Sequence, residues 1–452
     1  MLFSSLCFLL YFFPIVILVH YILPHKLQNG FLFLASLIFY AWGEVRYVPL
    51  FFALLTLDWG VGLLLERTEK PVYRRLLLLA GIAADIGSLV YYKYSAFLLE
   101  TLGVQTSWAA GITLPLGISF FTFQAVGYLV DVYRRQTVPE KSLVSFGTFL
   151  FLFPQLIAGP IIRYSDMREA LHCTRRPDGE ALERGLSLFV AGLASKVLLA
   201  NPLGAMGEEL RAVTGDSVCM FLYLCVFCLH LYFDFMGYSV MAVFMGRMLG
   251  FSFPRNFKHP YAASSVSDFW KRWHITLCGW FRDYVYFPLG GSRKGPVRAV
   301  VNSLIVWFLT GFWHGAGWTF ILWGLSCYFL LTLDKSVLVR FHAPKIFRRL
   351  LILTALPLSQ TLFTADTLQE TGAMWQTLLS FQATSASLFW LRDGAGLLIV
   401  AILMCIPAVV DSGKRWLNKL PILRYCAVLG LLILCLAALS KSTYNPFLYF
   451  RF

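Results

Sequence analysis

Apolar runs, separated by short polar segments, follow one another along the whole chain. Many of them are about 20 residues long, which is enough for a helix to cross the hydrocarbon core of a bilayer. The pattern predicts about 11 to 13 membrane segments, with boundaries good to a few residues. The predicted segments cover residues 3–23, 31–57, 76–99, 112–131, 144–162, 186–200, 217–233, 236–250, 300–316, 318–333, 350–365, 396–410 and 424–440.

Two of these runs contain helix breakers and are predicted to be broken or re-entrant helices. The stretch LPLGISFFTFQ includes Pro115 and Gly117, and the stretch FPQLIAGPI includes Pro154, Gly159 and Pro160. Backbone groups freed at such a break are tolerated at membrane depth only where protein or a water-filled cavity covers them. We therefore expect an all-α polytopic bundle with an internal cavity.

Composition and charge agree with a membrane protein. The chain is 58% hydrophobic and 14% charged, whereas a soluble domain has about 25% charged residues. Its net charge of +14 comes from Lys and Arg in the short segments between apolar runs, as the positive-inside bias and anionic headgroups would produce. Nucleic-acid binding is not needed to explain this charge. No internal repeat is detected, and the two polar stretches, 174–183 and 250–296, are too small to be separate soluble domains. Residues 1–452 are therefore predicted to form one membrane domain.

His314 lies in the stretch LTGFWHGAGWTFILWG, where no acidic or basic residue occurs between Asn302 and Asp334. An ionisable side chain in such a run is costly unless it has a function or a partner. Gly315 and Gly317 are expected to leave open space beside the imidazole, and Asn302 is expected to face the same cavity. A neutral imidazole is a suitable general base for a hydroxyl that attacks an activated acyl group.

A second histidine, His274, lies in the charged stretch SSVSDFWKRWHITLCGWFRDYVYFPLGG. Helical spacing predicts an interfacial amphipathic helix that begins at Ser267 or Asp268. One face of this helix would carry Trp270, His274, Leu277, Cys278 and Phe281, and the other Arg272 and Asp283, with Lys271 and Arg282 at the flank. Periodicity alone favours a packed core histidine over a functional one. The GGSRKG turn that follows is a weak signal for phosphate binding.

The other polar residues and motifs of the chain give little support to other kinds of catalysis. His230 and Asp234 are four residues apart and would share a helix face, either as a structural pair or as part of a site. Cys225 and Cys228 form a CxxC pattern without a second ligand pair, so small apolar helix residues are favoured over zinc. The chain has no Gly-x-Ser-x-Gly elbow and no HExxH motif, which leaves little support for a serine hydrolase or a metalloprotease.

Several long motifs together resemble the membrane-bound O-acyltransferases, in particular the branch of the bacterial alginate O-acetyltransferase membrane subunits. The resemblance covers nearly the whole chain. The matching stretches are SFFTFQAVGYLVDVYR, FPQLIAGPIIRYSDM, YFDFMGYSVMA, GRMLGFSFPRNFKHPY, FWKRWHITLCGWFRDYVYFPLGGSRKG, GFWHGAGWTFILWG and the terminal NPFLYFRF.

The resemblance implies that His314, in the WHG motif, is the catalytic histidine and that His274 is the second family histidine. It implies about eleven transmembrane helices, with re-entrant and interfacial helices, around a central funnel or tunnel. No bound cofactor or metal is expected, and acetyl-CoA is expected to be the donor substrate. Residues expected to bind the donor or line the tunnel are Trp313, Gly315, Gly317, Asn302, Lys271, Arg272, Trp273, Arg293, Lys294, Asp283 and Asp234.

The same resemblance implies a multi-pass protein of the bacterial cytoplasmic membrane that passes acetyl groups to an exported polysaccharide. An extracytoplasmic, esterase-like partner with a Ser/His/Asp site is expected to complete the transfer. Val240 replaces the acidic residue usual after the FDF motif, and His230 stands where an amide is common. These departures bear on the substrate, so D-alanyl transfer and peptidoglycan acetylation remain alternatives. A transporter or a non-catalytic assembly subunit is a further alternative, because broken helices and buried polar groups also mark transporters.

Overall fold

The computed structural model describes residues 2–104, 107–157, 159–175, 179–339 and 343–441. Within these ranges the regular elements are all helices, and no strand occurs. This confirms the prediction of an all-α protein. The terminal NPFLYFRF motif lies outside the described residues.

The helices form two compact units. Unit 1 comprises Met1–Phe189 and Ser239–Pro254, and unit 2 comprises Val190–Tyr238 and Arg255–Phe452. The prediction of one membrane-bound O-acyltransferase domain over residues 1–452 stays a prediction.

Unit 1 holds the first ten α-helices, most of an eleventh and the last turns of α13, around a core of interlocking phenylalanine rings such as Phe39, Phe51 and Phe153. The α-helices are α1 (Phe13–Ile22), α2 (His25–Glu44), α3 (Val48–Arg67), α4 (Pro71–Leu89), α5 (Ser95–Thr101), α6 (Ser107–Ala110), α7 (Ile118–Tyr133), α8 (Leu143–Phe151), α9 (Phe153–Leu156), α10 (Tyr164–His172) and α11 (Gly179–Ala194). π-helical turns at Phe8–Phe12 and Val90–Tyr94 adjoin α1 and α4, and a 3₁₀ turn at Val45–Tyr47 joins α2 to α3.

The two runs predicted to be broken are broken in the structure. Helix α7 begins only after Gly117, whose φ of +78° ends the preceding loop. A Cβ at Gly117 would lie 2.7 Å from the backbone oxygen of Leu156, so the loop before α7 packs closely on the end of α9. Helix α8 ends at Phe151 and Leu152 interrupts it before α9. Leu152, at the break between α8 and α9, is fully buried, as expected for a break at membrane depth, whereas Gly117 before α7 is half-buried.

Unit 2 holds the end of α11, α12, most of α13 and all the later helices. Both candidate catalytic histidines lie in this unit. The α-helices are α12 (Asn201–Ala212), α13 (Ser217–Met248), α14 (Val266–Trp270), α15 (Ile275–Phe281), α16 (Pro296–His314), α17 (Trp318–Leu333), α18 (Lys345–Thr364), α19 (Leu368–Leu379), α20 (Ser385–Asp393), α21 (Ala395–Cys405), α22 (Pro407–Lys419) and α23 (Pro421–Lys441). π-helical turns lie at Ser195–Ala200, Arg282–Tyr286 and Asp334–Leu338, and a 3₁₀ turn at Pro260–Ala262.

Helix α13 differs from the sequence prediction of two segments, 217–233 and 236–250. It is a single helix from Ser217 to Met248. The predicted gap at Asp234 and Phe235 is absent, because the helix runs through both residues. Asp234 is instead paired inside the protein with Lys196, so its charge does not interrupt the helix.

Seven described helical stretches are long and apolar enough to cross a membrane, or eight if the bent pair α20–α21 forms one span. The protein is therefore a multi-pass membrane protein. The expected count of about eleven is not confirmed by these criteria. Two shorter apolar helical stretches, Phe8–Ile22 and Ile118–Tyr133, lie in runs that the sequence prediction counted as membrane segments.

A buried carboxylate fixes the start of α13. The Oδ1 atom of Asp216 accepts from the Cys219 N–H at 2.9 Å, and Oδ2 accepts from the Thr384 N–H at 2.9 Å, the Thr384 hydroxyl at 2.7 Å and the Ser387 hydroxyl at 2.6 Å. Asp216 thus supplies acceptors to the first turns of both α13 and α20, whose N–H groups have no intrahelical partners. Burial alone would raise the pKa of Asp216, but these hydrogen bonds hold it well below its usual range.

Replacing this carboxylate should destabilise unit 2 in a pH-dependent way. Asp216→Asn puts an NH₂ group or a weaker acceptor opposite the donors, and we expect a loss of about 1–3 kcal/mol. Because the folded pKa lies below the unfolded value of about 3.9, the stabilisation is complete above that pH and declines as the pH falls through it towards the folded pKa. The unfolding temperature of the purified protein is measured from pH 7 down to acidic pH. It should fall more steeply for the natural protein than for the variant. Asp393→Asn, at an exposed carboxylate that ends α20, is the control and should change little.

Candidate active site

The helix predicted around His274 is interrupted between Trp270 and Ile275. Helix α14 ends at Trp270, α15 begins at Ile275, and His274 between them has a φ of +44°. The predicted continuous amphipathic helix is therefore wrong, and the Ser265 hydroxyl, which accepts from the Asp268 N–H at 3.0 Å, caps α14 in place of Ser267 or Asp268. A left-handed backbone at a residue other than glycine is uncommon, and such strain is concentrated at functional sites.

Aromatic packing explains why the helix stops. Arg272 N–H and Trp273 N–H both donate to the Phe269 carbonyl at 2.9 Å, which tightens the last turn of α14. The Trp273 ring stacks on the Phe269 ring at 5.6 Å and meets the Phe257 ring edge-on at 5.1 Å. Trp273 is thus held in the aromatic core of unit 2, and the chain must turn at His274 before α15 begins. Helical periodicity could not reveal this tertiary constraint.

The His274 imidazole is enclosed by protein. Only 2% of the residue is exposed, and its ring meets the Phe235 ring edge-on at 4.8 Å and the Trp313 ring at 6.1 Å. Burial lowers the pKa of His274 to about 3, because the charged form loses its hydration. The side chain is therefore a neutral imidazole throughout the physiological pH range.

His314 is the last residue of α16 and is also enclosed by rings. Its imidazole centroid lies 4.7 Å from that of Trp313, 4.9 Å from that of Trp323 and 5.4 Å from that of Phe363. Because the Trp313 ring contacts both imidazoles, the structure brings the two predicted histidines together on one indole. The walls are aromatic, so water has little polar surface to bind there.

The glycines after His314 do not both leave open space. An added Cβ at Gly315 would overlap the Phe320 ring, whereas one at Gly317 would lie 3.7 Å from it, at ordinary contact distance. The expectation of open space beside Gly315 was therefore wrong, since a neighbouring aromatic ring fills it. Gly315 instead allows Phe320, on the next helix, to approach the backbone directly after His314.

Two further glycines set the distance between α16 and α17. A Cβ at Gly311 would lie 2.5 Å from the Phe320 carbonyl oxygen, and one at Gly324 would lie 2.5 Å from the Trp307 carbonyl oxygen. Both obstacles are backbone atoms, which cannot rotate away. Glycine at both positions therefore permits a close helix crossing, one turn before His314.

We expect Gly324→Ala to weaken both the fold and the site. The methyl group must push α17 away from α16, at a cost of about 1–3 kcal/mol for overpacking, and the shift would move His314 relative to Trp323. The unfolding temperature and the rate of acyl transfer should both fall. Gly372→Ala is the control, because nothing lies within 4 Å of its added Cβ and alanine favours the helix. Equal behaviour of the two variants would contradict the close-packing role.

The remaining predicted site residues lie in several places. Asn302 is buried, and its Nδ2 atom donates to the carbonyls of Gly291 at 2.9 Å and Leu289 at 3.3 Å. It therefore anchors the GGSRKG turn, which differs from the expectation that it faces the cavity of His314. Arg293 and Lys294 are exposed on that turn.

The charged residues around α14 and α15 are partly engaged in local pairs. Arg272 Nε donates to Asp268 Oδ1 at 2.8 Å, and Asp283 receives the Arg282 guanidinium at 2.8 and 3.2 Å. Lys271 is exposed. Of these cations, Lys271 retains the greatest freedom to meet an anionic ligand.

Asp234 belongs to a buried ion pair that sequence reasoning missed. Lys196 Nζ lies 2.7 Å from Asp234 Oδ1, and both side chains are only 1% exposed. The signal was available, because Lys196 is the only charged residue between Arg184 and Glu208, as isolated as His314 is in its own run. A Cβ at Gly237 would lie 2.7 Å from the Gly192 carbonyl oxygen, so the two helical segments cross closely at the pair.

Within the described ranges, no cluster of three or more His, Cys, Asp or Glu side chains has the arrangement of a metal site. Cys225 is half-buried and Cys228 buried, and both are free thiols.

Known proteins resemble this chain along its whole length. Residues 132–356 match the model of the membrane-bound O-acyltransferase family, MBOAT. The chain is 32% identical to a protein of Pseudomonas putida named "Probable alginate O-acetylase", with 100% of both chains covered. It is 29% identical to the peptidoglycan O-acetyltransferase of Helicobacter pylori, covering 100% of this chain and 98% of that one. A teichoic acid D-alanyltransferase of Bacillus subtilis is 30% identical over 48% of this chain and 58% of its own.

Proposed function

The chain belongs to the membrane-bound O-acyltransferase family and is a membrane acyltransferase, and from this premise we propose that it transfers acetyl groups to hydroxyls of an exported polysaccharide. The observation that carries the proposal is the pair of buried imidazoles, His274 and His314, whose rings both lie against the Trp313 ring. A dry aromatic enclosure with two histidines suits proton transfer from a hydroxyl beside a thioester that water must not reach.

The proposed reaction uses His314 as general base. The imidazole takes the proton of an acceptor hydroxyl while the hydroxyl oxygen attacks the carbonyl carbon of the thioester. A carbon–oxygen bond forms, the carbon–sulfur bond breaks, and the proton held by the imidazole returns to the departing thiolate. The products are an O-acetyl ester and a free thiol. His274, neutral because it is buried, would assist at the same enclosure by accepting a hydrogen bond.

The proposed donor is acetyl-CoA, which would be a substrate and not a resident cofactor. Its phosphates need cations, and Lys271, Arg293 and Lys294 are exposed on the chain between α14 and α16. Arg272, next to Lys271 in sequence, is a further candidate. We propose that the donor enters at the basic cytoplasmic side, through a central funnel formed by about eleven spans, in the bacterial cytoplasmic membrane. An extracytoplasmic, esterase-like partner would then pass the acetyl group to the polysaccharide.

Peptidoglycan acetylation is the strongest alternative, because a peptidoglycan O-acetyltransferase matches the whole chain. The D-alanyl alternative has weaker support, since the teichoic acid D-alanyltransferase matches only 48% of the chain. None of the relatives named above supports the transporter alternative. A relative that matches over its full length at 32% identity is named a probable alginate O-acetylase. This name favours a polysaccharide acceptor.

A reconstitution experiment tests the proposal. The full chain in lipid nanodiscs is given acetyl-CoA labelled in the acetyl group, with uronate oligosaccharides, peptidoglycan fragments or a serine-containing partner domain as acceptor. We expect labelled ester on the oligosaccharide or on the partner. Label only on peptidoglycan, or transfer only from a D-alanyl carrier thioester, would replace the proposed acceptor or donor. If no mixture releases free CoA thiol, acetyl transfer from acetyl-CoA is overturned.

A further inference from the structure

The short helix α15 begins without a cap from its own first residue. The first N–H groups of a helix need acceptors from outside the helix, and His274, at the capping position, makes no side-chain capping hydrogen bond. An imidazole used for capping would not be available for chemistry. The acceptors must therefore come from elsewhere.

Asn256, from the loop after α13, supplies them. Its backbone carbonyl accepts from the Ile275 N–H at 2.9 Å. Its side-chain Oδ1 accepts from the Thr276 N–H at 3.3 Å and from the Thr276 hydroxyl at 3.0 Å. Only 2% of Asn256 is exposed, so this oxygen has no competition from solvent. The loop thus replaces the missing cap and holds α15 at its first turn.

The same oxygen also faces the His274 ring. The distance between His274 Nδ1 and Asn256 Oδ1 is 3.1 Å. Because the Thr276 backbone N–H can only donate, the atom that it faces must be the amide oxygen and not the amide nitrogen. An amide oxygen only accepts hydrogen bonds. His274 Nδ1 must therefore carry the hydrogen, which leaves Nε2 with its lone pair free of a proton.

We propose that Asn256 is a positioning residue that fixes His274 as the Nδ1–H tautomer, so that Nε2 is presented to the reaction as a hydrogen-bond acceptor or base. The flanking Phe235 and Trp313 rings restrict rotation of the imidazole, and Asn256 selects which nitrogen holds the proton. The second nitrogen's partner commonly determines the tautomer of a functional histidine. The effect on reaction rate rests on the proposed function, whereas the tautomer does not.

Nitrogen NMR of the full chain in nanodiscs, with ring-labelled histidine, tests the tautomer directly. The chain has eight histidines, and the His274 signals are identified by their loss in His274→Gln. At neutral pH we expect a protonated Nδ1 and an unprotonated Nε2 in the natural protein. An Nε2–H signature, or a doubly protonated ring, would overturn the proposal whether or not the protein transfers acyl groups.

Variants of Asn256 separate positioning from mere support of the fold. Asn256→Leu keeps the volume but removes the acceptor, and should mix the His274 tautomers and lower kcat by about 10- to 100-fold with little change in KM. Asn256→Asp keeps the acceptor, so the Nδ1–H tautomer should persist and the pKa of His274 should rise beside the carboxylate. If Asn256→Leu does not fold, the outcome with Asn256→Asp decides: an Nε2–H tautomer or an unmoved pKa would contradict the proposal.

Thr276→Val is the matched control. It removes one donor to Asn256 Oδ1 but leaves both the backbone N–H of residue 276 and the His274 contact. The tautomer should be unchanged and kcat should fall by less than about 3-fold, although thermal stability decreases slightly. A tautomer change as large as in Asn256→Leu would show that any loosening of the loop suffices, and would overturn a specific role for the Asn256–His274 hydrogen bond. Unchanged signals in both variants would overturn it as well.

Discussion

Replacing His314 by alanine should reduce acyl transfer by about 10²- to 10⁴-fold, the usual contribution of a general base. The expected loss lies in kcat, because the imidazole acts on the hydroxyl proton during bond formation and contributes little to holding the donor. His314→Gln should be as inactive, although its amide retains much of the volume among the Trp313, Trp323 and Phe363 rings. The measurement is the single-turnover rate of labelled acetyl transfer by purified variants of equal thermal stability.

Two further variants, His25→Ala and His274→Gln, are compared with His314→Ala. His25→Ala removes a half-buried histidine of unit 1 and should leave the rate unchanged. His274→Gln should also slow the reaction, and the double variant with His314→Gln should lose much less than the product of the two single effects, because groups that act on one step are not additive. A near-normal rate in well-folded His314→Ala would remove His314 from the chemistry. Fully multiplicative losses would separate the two histidines into different steps.

Much of the architecture could be predicted because the bilayer imposes simple rules. Long apolar runs became helices, and the two runs with Pro and Gly are interrupted. One breaks before α7, where Gly117 has a positive φ, and the other breaks at Leu152, just before Pro154 in the first turn of α9, since proline fits best in the first turn of a helix. The division of α13 into two segments failed because hydropathy counts a charge as a cost regardless of its partner. Lys196 neutralises that charge in space, and no periodicity argument could see it.

The site was predictable in its residue types but not in its geometry. The motifs identified His274 and His314, and the structure brings both onto Trp313. Helical spacing, however, gave His274 a place on a continuous helix, whereas aromatic packing of Trp273 breaks that helix. Asn256 had no signal beyond its motif, because its role depends on a loop that returns to α15 from 18 residues earlier in the chain. Tertiary contacts of this kind override local pattern.

The second large effect is expected at the buried pair of Lys196 and Asp234. Lys196→Met leaves a carboxylate without its cation in a site that is 1% exposed, which should cost about 3–5 kcal/mol of unfolding free energy. Asp234→Leu should cost a similar amount by removing the carboxylate that faces the buried ammonium group. The double variant, with both charges removed and the volume nearly kept, should regain most of the stability. Thermal unfolding in detergent measures all three.

The exposed pair of Arg184 and Glu180 provides the control, because its side chains are 67% and 66% exposed. Arg184→Met should cost no more than about 1 kcal/mol, so a similar small loss for Lys196→Met would contradict the burial argument. The double variant also separates two roles of the buried pair. Charges are costly in a membrane-spanning helix and are retained mainly where they have a function. A stable but inactive Lys196→Met/Asp234→Leu protein would therefore assign the pair to the acyl-transfer pathway, whereas a stable and active one would limit it to joining two helices.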